Sequence, residues 1–163
     1  MYKRILVPVD ASAASAQGLL EAVRFAKDQR ARLRIVHIVD ESVLIQYQES
    51  ADITGKLLDT FVKDGEKTLR DAVALAKRHG VKAEHVLYKT MVGALADVIL
   101  KEAKKWRADV IVMGAHEQGK VERFFLGSNA ENIARSTLLP VLLIHAAPAA
   151  KRKSTAGRKR AGT

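Results

Sequence analysis

A segment late in the chain combines the residue types that bind anions. It spans residues 113–133 and reads MGAHEQGKVERFFLGSNAENI. An apolar run ends at Gly114, a polar loop follows, and Gly127-Ser128 then opens a predicted helix. Backbone amides at a helix N-terminus bind phosphate, and the helix dipole strengthens the attraction. The pattern is equally typical of a phosphate site made by the amides of Gly127, Ser128 and Asn129 and of an ordinary helix cap.

Charged side chains in the loop have two interpretations each. His116 contacts phosphate when it is protonated, or it is simply solvated. Lys120 and Arg123 either neutralise phosphate charge or lie on the surface in water.

Asp10 follows the first apolar run, where an aspartate commonly caps the next helix or closes an Asx turn. His37 lies within an apolar run and is predicted to be a satisfied core residue and not a ligand.

Motifs of common phosphoryl-transfer and hydrolytic enzymes are missing from the sequence. It has no GxxxxGK(S/T) loop, no HExxH pair and no serine with a histidine–aspartate pair in a motif context. Efficient phosphoryl transfer needs a positioned nucleophile and a charge clamp, and neither is recognisable. We therefore expect no catalytic residue, no metal site built by the protein alone, and at most slow hydrolysis.

Short apolar, β-branched runs alternate with amphipathic segments, which predicts the elements that position these residues. Strands are predicted at 3–9, 33–39, 81–89, 109–114 and 140–145. Helices are predicted at 12–27, 58–79, 93–105 and 127–136, and residues 40–55 are predicted to form a loop with some helical content. Strands without polar alternation, separated by helices, imply an α/β fold with a doubly wound parallel sheet and helices on both faces. Ligands of such sheets bind beyond the carboxyl ends of the strands.

Composition fits one globular domain followed by a charged tail. The chain has 163 residues, 48% of them hydrophobic, and no cysteine. Residues 151–163 carry six basic and no acidic side chains, so removing them from the net charge of +10 leaves +4 for residues 1–150. We find no apolar run near the roughly 20 residues that span a bilayer and no signal-peptide pattern, so we expect a cytoplasmic protein without membrane contact.

With these elements in place, the chain resembles the universal stress proteins over residues 1–146. The resemblance rests on KRILVPVD and IVHIVDE in the first two strands, ADVIVMGAH in the fourth, FFLGSNAENI at the loop exit and LLPVLLI at the end. It implies a five-stranded sheet of strand order 3-2-1-4-5, a homodimer, and a stress-response protein that binds an adenine nucleotide. Residues 147–163 are expected to be a disordered basic tail.

By this resemblance, ATP or AMP binds through a pattern of Gly, two residues, Gly, nine residues, and Gly-Ser or Gly-Thr. Gly114 and Gly127-Ser128 match the pattern, and Glu117 replaces its second glycine, with Gly119 nearby. Magnesium or manganese is expected to accompany the nucleotide. Ile38 takes the position whose backbone meets adenine, Pro8 closes the same pocket, and Asp10 lines the nucleoside or a cation. The nucleotide-binding residues implied are Pro8, Val9, Asp10, Ile38, Met113, Gly114, Ala115, His116, Glu117, Gln118, Gly119, Gly127, Ser128, Asn129 and Ala130.

The departure at Glu117 leaves a second function open, a nucleotide-free dimeric interaction module of the same fold. In either case the resemblance implies a homodimer through the edge strand Val141 to Ile144, with protein partners that the sequence does not identify. The basic tail is expected to attract nucleic acid weakly, or to be merely solvated, since it has no aromatic side chain for stacking on bases.

Overall fold

The computed structural model of the protein describes residues 1–42, 44, 51–90, 95–115 and 128–145, and at 51–54 and 128 it describes the backbone alone. These residues form strands and helices in strict alternation. The strands are β1 (Arg4–Pro8), β2 (Arg32–Asp40), β3 (Ala83–Thr90), β4 (Val110–Ala115) and β5 (Val141–His145). The helices are α1 (Ala13–Gln29), α2 (Ala51–Arg78), α3 (Leu95–Trp106) and α4 (Ser128–Ser136).

The strands form one five-stranded sheet in the order β3-β2-β1-β4-β5. All four strand pairs are parallel, and Ile5 of β1 lies between Leu33 of β2 and Val110 of β4. The fold class and the strand order predicted from the sequence are confirmed. β5 lies at one edge of the sheet, as predicted, and β3 at the other.

Successive residues of the central strands enter two separate cores, because side chains alternate between the faces of a sheet. Val7 and Ile35 pack with residues of α1 and α2 on one face. Leu6 and Val36 pack with residues of α3 and α4 on the other. All four side chains are fully buried. Burial on both faces accounts for the continuous apolar runs in the sequence.

Helix ends follow the expected chemistry at two positions and depart from it at two others. The predicted cap Ser12 accepts a hydrogen bond from the Ser15 amide at 3.1 Å. Gly80, after α2, has a φ of 74°, which suits a glycine that ends a helix. Arg30 and Arg107, after α1 and α3, also have left-handed φ values of 52° and 56°.

Helix α2 begins at Ala51, within the segment that was predicted to be mainly loop. Gly55 and Lys56 in its early turns are exposed. These turns therefore show little of the apolar periodicity by which a helix is found in a sequence. The other predicted boundaries that fall on described residues lie within two residues of the observed ones. The predicted helix starts at Gly93 and Gly127 lie outside the described residues. Among the described residues, no helix has both the length and the apolar character needed to cross a bilayer.

Candidate functional site

Packing brings the predicted site residues of β2, β4 and α4 to one end of the sheet. Met113, near the carboxyl end of β4, and Ala130, in the first turn of α4, are buried in the same apolar cluster. Ile38 of β2 is partly buried against that cluster. Since β1 lies between β2 and β4, the carboxyl ends of three strands and the amino end of α4 share one region. This is the location that the topology predicts for a ligand.

The turn from β1 to α1 is held by a chain of short hydrogen bonds. The Asp10 carboxylate accepts from the Ser12 amide at 2.8 Å, which forms the predicted Asx turn. The Asp10 amide donates to the Ser15 hydroxyl, also at 2.8 Å. Ser15 is buried, whereas Asp10 is exposed. The turn thus fixes an exposed carboxylate at the carboxyl end of β1, next to the ends of β2 and β4.

His37 also contacts this end of β1, from the face of the sheet that α1 and α2 cover. Its Nδ1 lies 2.8 Å from the carbonyl oxygen of Val9, so Nδ1 carries the proton that this hydrogen bond needs. A Cβ atom on Gly65 of α2 would lie 2.6 Å from the imidazole Cδ2, so α2 packs directly on the ring. The prediction that His37 is a satisfied, structural residue is confirmed.

Gly114 is packed against helix α1. A Cβ atom on Gly114 would overlap the carbonyl group of Ala14 and lie 2.8 Å from the Ser15 nitrogen. A Cβ atom on Gly18 would in turn lie 2.5 Å from the Gly114 nitrogen. The two glycines therefore let the backbones of β4 and α1 approach closely. This packing explains the first glycine of the predicted nucleotide motif without reference to a ligand.

Most described site residues can offer a ligand only their backbone. Val9, Met113, Ala115 and Ala130 are all buried apolar side chains. Asn129, in the first turn of α4, is exposed. Polar side-chain contacts from the described part of the site would therefore come from Asp10 and Asn129. Pro8, which ends β1, is partly buried.

The middle of the predicted motif lies outside the described residues. This applies to His116, Glu117, Gln118, Gly119 and Gly127, and also to Lys120 and Arg123. Ser128 is the first residue of α4, as its predicted role requires. Within the described ranges, no group of three His, Asp or Glu side chains is arranged to hold a metal ion.

A buried charged network, which the sequence reasoning missed, links α3 to β2 and β3. The Arg34 guanidinium contacts the Glu102 carboxylate through Nε at 2.8 Å and Nη2 at 2.7 Å, and Glu84 through Nη1 at 3.0 Å. The Tyr88 hydroxyl donates to Glu102, and Arg32 pairs with Glu84. Glu102 is 1% exposed. Its hydrogen bond and negative charge, together with burial, raise the pKa of the Tyr88 hydroxyl.

The network lies beside the candidate site, since Tyr88 of β3 pairs directly with Ile38 of β2. Both side chains belong to the cluster that contains Met113 and Ala130. Two sequence signals could have revealed it. Arg34 interrupts an apolar strand, and Glu102 falls on the buried face of α3. A buried charge requires a partner, so each signal predicts an oppositely charged partner without identifying which residue it is.

Comparison with known proteins matches the whole folded region to one family. The family described as "Universal stress protein family" matches residues 1–145. A universal stress protein of Methanocaldococcus jannaschii is 30% identical over 145 residues, covering 88% of this chain and 82% of that protein. The universal stress protein YxiE of Bacillus subtilis is 30% identical over 154 residues, covering 88% and 99%. A solved structure of a family member from Burkholderia pseudomallei has a TM-score of 0.71 at 30% identity, covering 88% of this chain and 96% of that one.

Two further solved structures share the fold and contain a nucleotide. One is a universal stress protein in complex with cAMP, with 24% identity, a TM-score of 0.61 and coverage of 88% and 97%. The other is the universal stress protein of Archaeoglobus fulgidus in complex with dAMP, with 23% identity, a TM-score of 0.64 and coverage of 87% and 97%. At these identities the likeness concerns the fold, and the ligands are those of the two proteins named.

Proposed function

The chain belongs to the universal stress protein family, and we propose that it is a regulatory member that binds an adenine nucleotide at the carboxyl ends of β1, β2 and β4. The observation that supports this most is the shared burial of Met113 and Ala130. It holds the amino end of α4 against the end of β4. The complexes of two proteins of this fold with cAMP and dAMP agree with this ligand class.

The phosphates are proposed to lie over the first turn of α4. The first amides of a helix have no intrahelical acceptor, and the dipole adds partial positive charge there. Ser128 and Asn129 begin that turn. Residues 116–127, which carry the middle of the motif, are proposed to supply further contacts to the phosphates. Magnesium or manganese would bind through phosphate oxygens, since carboxylate and phosphate oxygens are the usual ligands of these cations.

The nucleoside is proposed to lie along the ends of β1 and β2. There the exposed Asp10 carboxylate is held in place by the Ser12 amide. The backbone of Ile38 would face the adenine, and Pro8 would close the pocket. Among the described residues, no side chain that could act as a nucleophile or a base lies beside the proposed phosphate position. We therefore propose that nucleotide binding serves regulation, with at most slow hydrolysis.

A nucleotide-free interaction module is the second candidate function, and the packing of Gly114 favours it. Because α1 already requires a glycine at this position, its presence does not by itself indicate a phosphate site. The replacement of the motif's second glycine by Glu117 has the same implication. The two functions differ in whether the end of α4 holds an anion.

Calorimetry of ATP and AMP binding to the native protein and to Asn129→Glu separates them. A new carboxylate in the first turn stabilises a helix, so this variant should keep or gain stability. It should lose nucleotide affinity by about tenfold or more, because it places negative charge beside the phosphates. Asn129→Ala removes the side-chain amide without adding charge, and it should lose less affinity than Asn129→Glu. Absence of binding by the folded native protein would reject the nucleotide site and leave the interaction module.

A further inference from the structure

Positive charge is concentrated at the amino ends of the strands, opposite the candidate site. Residues 1–4, 27–32, 77–82 and 104–109, which we call the basic edge, hold eleven basic and two acidic side chains. All other residues within 1–150 hold eleven basic and sixteen acidic side chains. The basic edge therefore has a formal net charge of +9, and the rest of that range has −5. The mild net charge of the fold conceals a strong polarity.

The four segments of the basic edge are direct neighbours. The Arg32 amide donates to the Lys3 carbonyl at 2.9 Å, and the Asp109 amide donates to the Arg4 carbonyl at 2.8 Å. The Leu33 amide donates to the carbonyl of Lys82 at 3.0 Å. These bonds connect the starts of four adjacent strands. With strands roughly 4.8 Å apart, the charges form one continuous surface.

The basic side chains of this surface are available to a partner. Every one of them except Arg4 is exposed. Of the exposed basic side chains of the basic edge, only Arg32 forms an ion pair with a described residue, Glu84. One of the two acidic residues, Asp109, turns its carboxylate inward to the amides of Lys3 and Arg4, at 2.7 and 2.8 Å. Its charge is included in the net +9 of the basic edge.

Helix stability accounts for only part of this charge. Lysine or arginine in the last turn of a helix interacts favourably with the dipole, which explains Lys27, Lys77 and Lys104. Lys3 and Lys82 lie outside the helices and have no such role. The basic edge therefore carries more positive charge than the ends of the helices need for their stability.

Two arginines occupy backbone positions that favour glycine. Arg30 and Arg107 have φ values of 52° and 56°, in the left-handed region where a side chain is unfavourable. The equivalent position after α2 is Gly80. Both arginines are exposed and form no ion pair with the described residues. The backbone amides of Arg30 and Arg107 close the ends of α1 and α3 by donating to the carbonyls of Lys27 and Lys104, both at 3.1 Å. These contacts use the backbone alone, so no ion pair with the described residues requires an arginine at either position.

We propose that the basic edge binds the sugar–phosphate backbone of a nucleic-acid duplex, without base specificity. Phosphates along a backbone match a surface of exposed lysines and arginines. The aromatic residues of this edge are engaged elsewhere: Tyr2 packs on Phe25 at 5.4 Å between ring centroids, and Trp106 packs in the core. Stacking on single-stranded bases is therefore not provided.

A lipid bilayer fits this surface less well than a duplex does. Charge-driven membrane binding is usually completed by an apolar anchor. Of the described large apolar side chains of the basic edge, Met1 alone is exposed. The proposal is independent of the nucleotide site, which lies at the opposite ends of the strands.

The test is duplex binding by the full chain as a function of salt, for the native protein and for Arg30→Gly with Arg107→Gly. Glycine suits the left-handed conformation, so the melting temperature should stay the same or rise. Affinity for a 20-base-pair duplex at low salt should fall about tenfold, and the slope of log K against log salt should decrease by about two. Lys56→Gln with Lys63→Gln is the matched control, because it removes two exposed charges from α2 far from the edge. It should bind like the native protein.

Three outcomes would overturn the proposal. The first is unchanged affinity and slope in the arginine variant, which would leave the tail as the source of any binding. The second is an equal loss in the lysine control, which would mean that binding follows net charge and not this surface. The third is tighter binding of the native protein to phosphatidylserine vesicles than to duplex at equal salt, which would identify a bilayer as the partner.

Discussion

Gly114 of β4 contacts the first turn of α1 so closely that any side chain at Gly114 would overlap the carbonyl group of Ala14. Its φ lies outside the left-handed region, which among the described glycines only Gly80 occupies. Space, and not backbone conformation, therefore requires glycine here. The contact sets the distance between α1 and β4, and so the geometry of the β1–α1 turn that fixes Asp10.

We predict that Gly114→Ala destabilises the protein by about 3 kcal/mol, since an added methyl group must displace backbone. Denaturant unfolding measures the change. Gly55→Ala is the matched control, because a Cβ atom there meets nothing within 4 Å in an exposed part of α2. That variant should gain about 0.5–1 kcal/mol from helix propensity. A Gly114→Ala variant with nearly native stability would show that α1 can move away. The presence of glycine at this position would then again support the nucleotide motif.

The network around Glu102 predicts a pH dependence at the alkaline end. The hydrogen bond from Tyr88 to Glu102 raises the pKa of the hydroxyl above its ordinary value of 10.0. The folded state therefore holds this proton more tightly than the unfolded state. The resulting stabilisation is complete below pH about 10 and is lost as the pH rises through the folded-state pKa.

Tyr88→Phe should therefore cost about 1.5 kcal/mol at pH 7 and make the loss of stability between pH 9 and 11 shallower than in the native protein. Urea unfolding across that range measures both effects. Tyr2→Phe, outside the network, is the matched control. An unchanged alkaline slope in Tyr88→Phe would mean that the hydroxyl does not hold its proton through Glu102.

The sequence could predict the fold because the strands are buried on both faces. Apolar runs such as that around Val7 and the amphipathic pattern of α1 have a single arrangement that buries both. The start of α2 could not be predicted, because exposed residues such as Gly55 carry no periodic signal. The left-handed Arg30 and Arg107 could not be predicted either, since glycine is the residue that usually marks such positions.

The sequence could predict that the candidate site residues of β2, β4 and α4 come together at one end of the sheet, but it could not predict why particular residues occupy their positions. The glycine signal at Gly114 is explained by a helix from a distant part of the chain, which a linear pattern does not show. The pairing of Arg34 with Glu102 joins residues 68 positions apart, so neither residue's local sequence identifies the other. The Asx turn at Asp10 was predictable because its partners are local.

We predict a homodimer through β5. Its Leu142 is 41% exposed on a strand at the edge of the sheet, and an exposed apolar edge strand tends to pair with another strand. Antiparallel pairing of two such edges about a two-fold axis would cover it. Light scattering should give twice the chain mass of 17.9 kDa, and Leu142→Glu should shift the protein toward monomer. His85→Glu, which places the same charge on the exposed face of the opposite edge strand, should leave the dimer intact. A monomer at all micromolar concentrations would reject this interface.

Deletion of residues 147–163 should change the melting temperature by no more than about 2 °C, because this segment, rich in Ala, Pro, Gly, Lys and Arg, has little apolar surface to bury. Retention on a heparin column should decrease, since six basic side chains are removed. Scanning calorimetry and a salt gradient measure the two effects. A large fall in melting temperature would show that the tail docks on the fold.

The last prediction concerns Glu117, the residue that departs from the nucleotide motif. If its carboxylate points toward the bound phosphates, it repels the γ-phosphate and lets AMP or ADP rival ATP, whereas a carboxylate that points outward leaves ordinary ATP binding. In the first case, Glu117→Gly should bind ATP about tenfold more tightly than the native protein in the absence of divalent cation. Magnesium should reduce this difference, because a cation that bridges the carboxylate and a phosphate oxygen turns repulsion into attraction. Calorimetry with and without magnesium measures all four affinities. Equal ATP affinities in metal-free buffer would place the Glu117 side chain outside the site, while binding by neither protein would favour the interaction module.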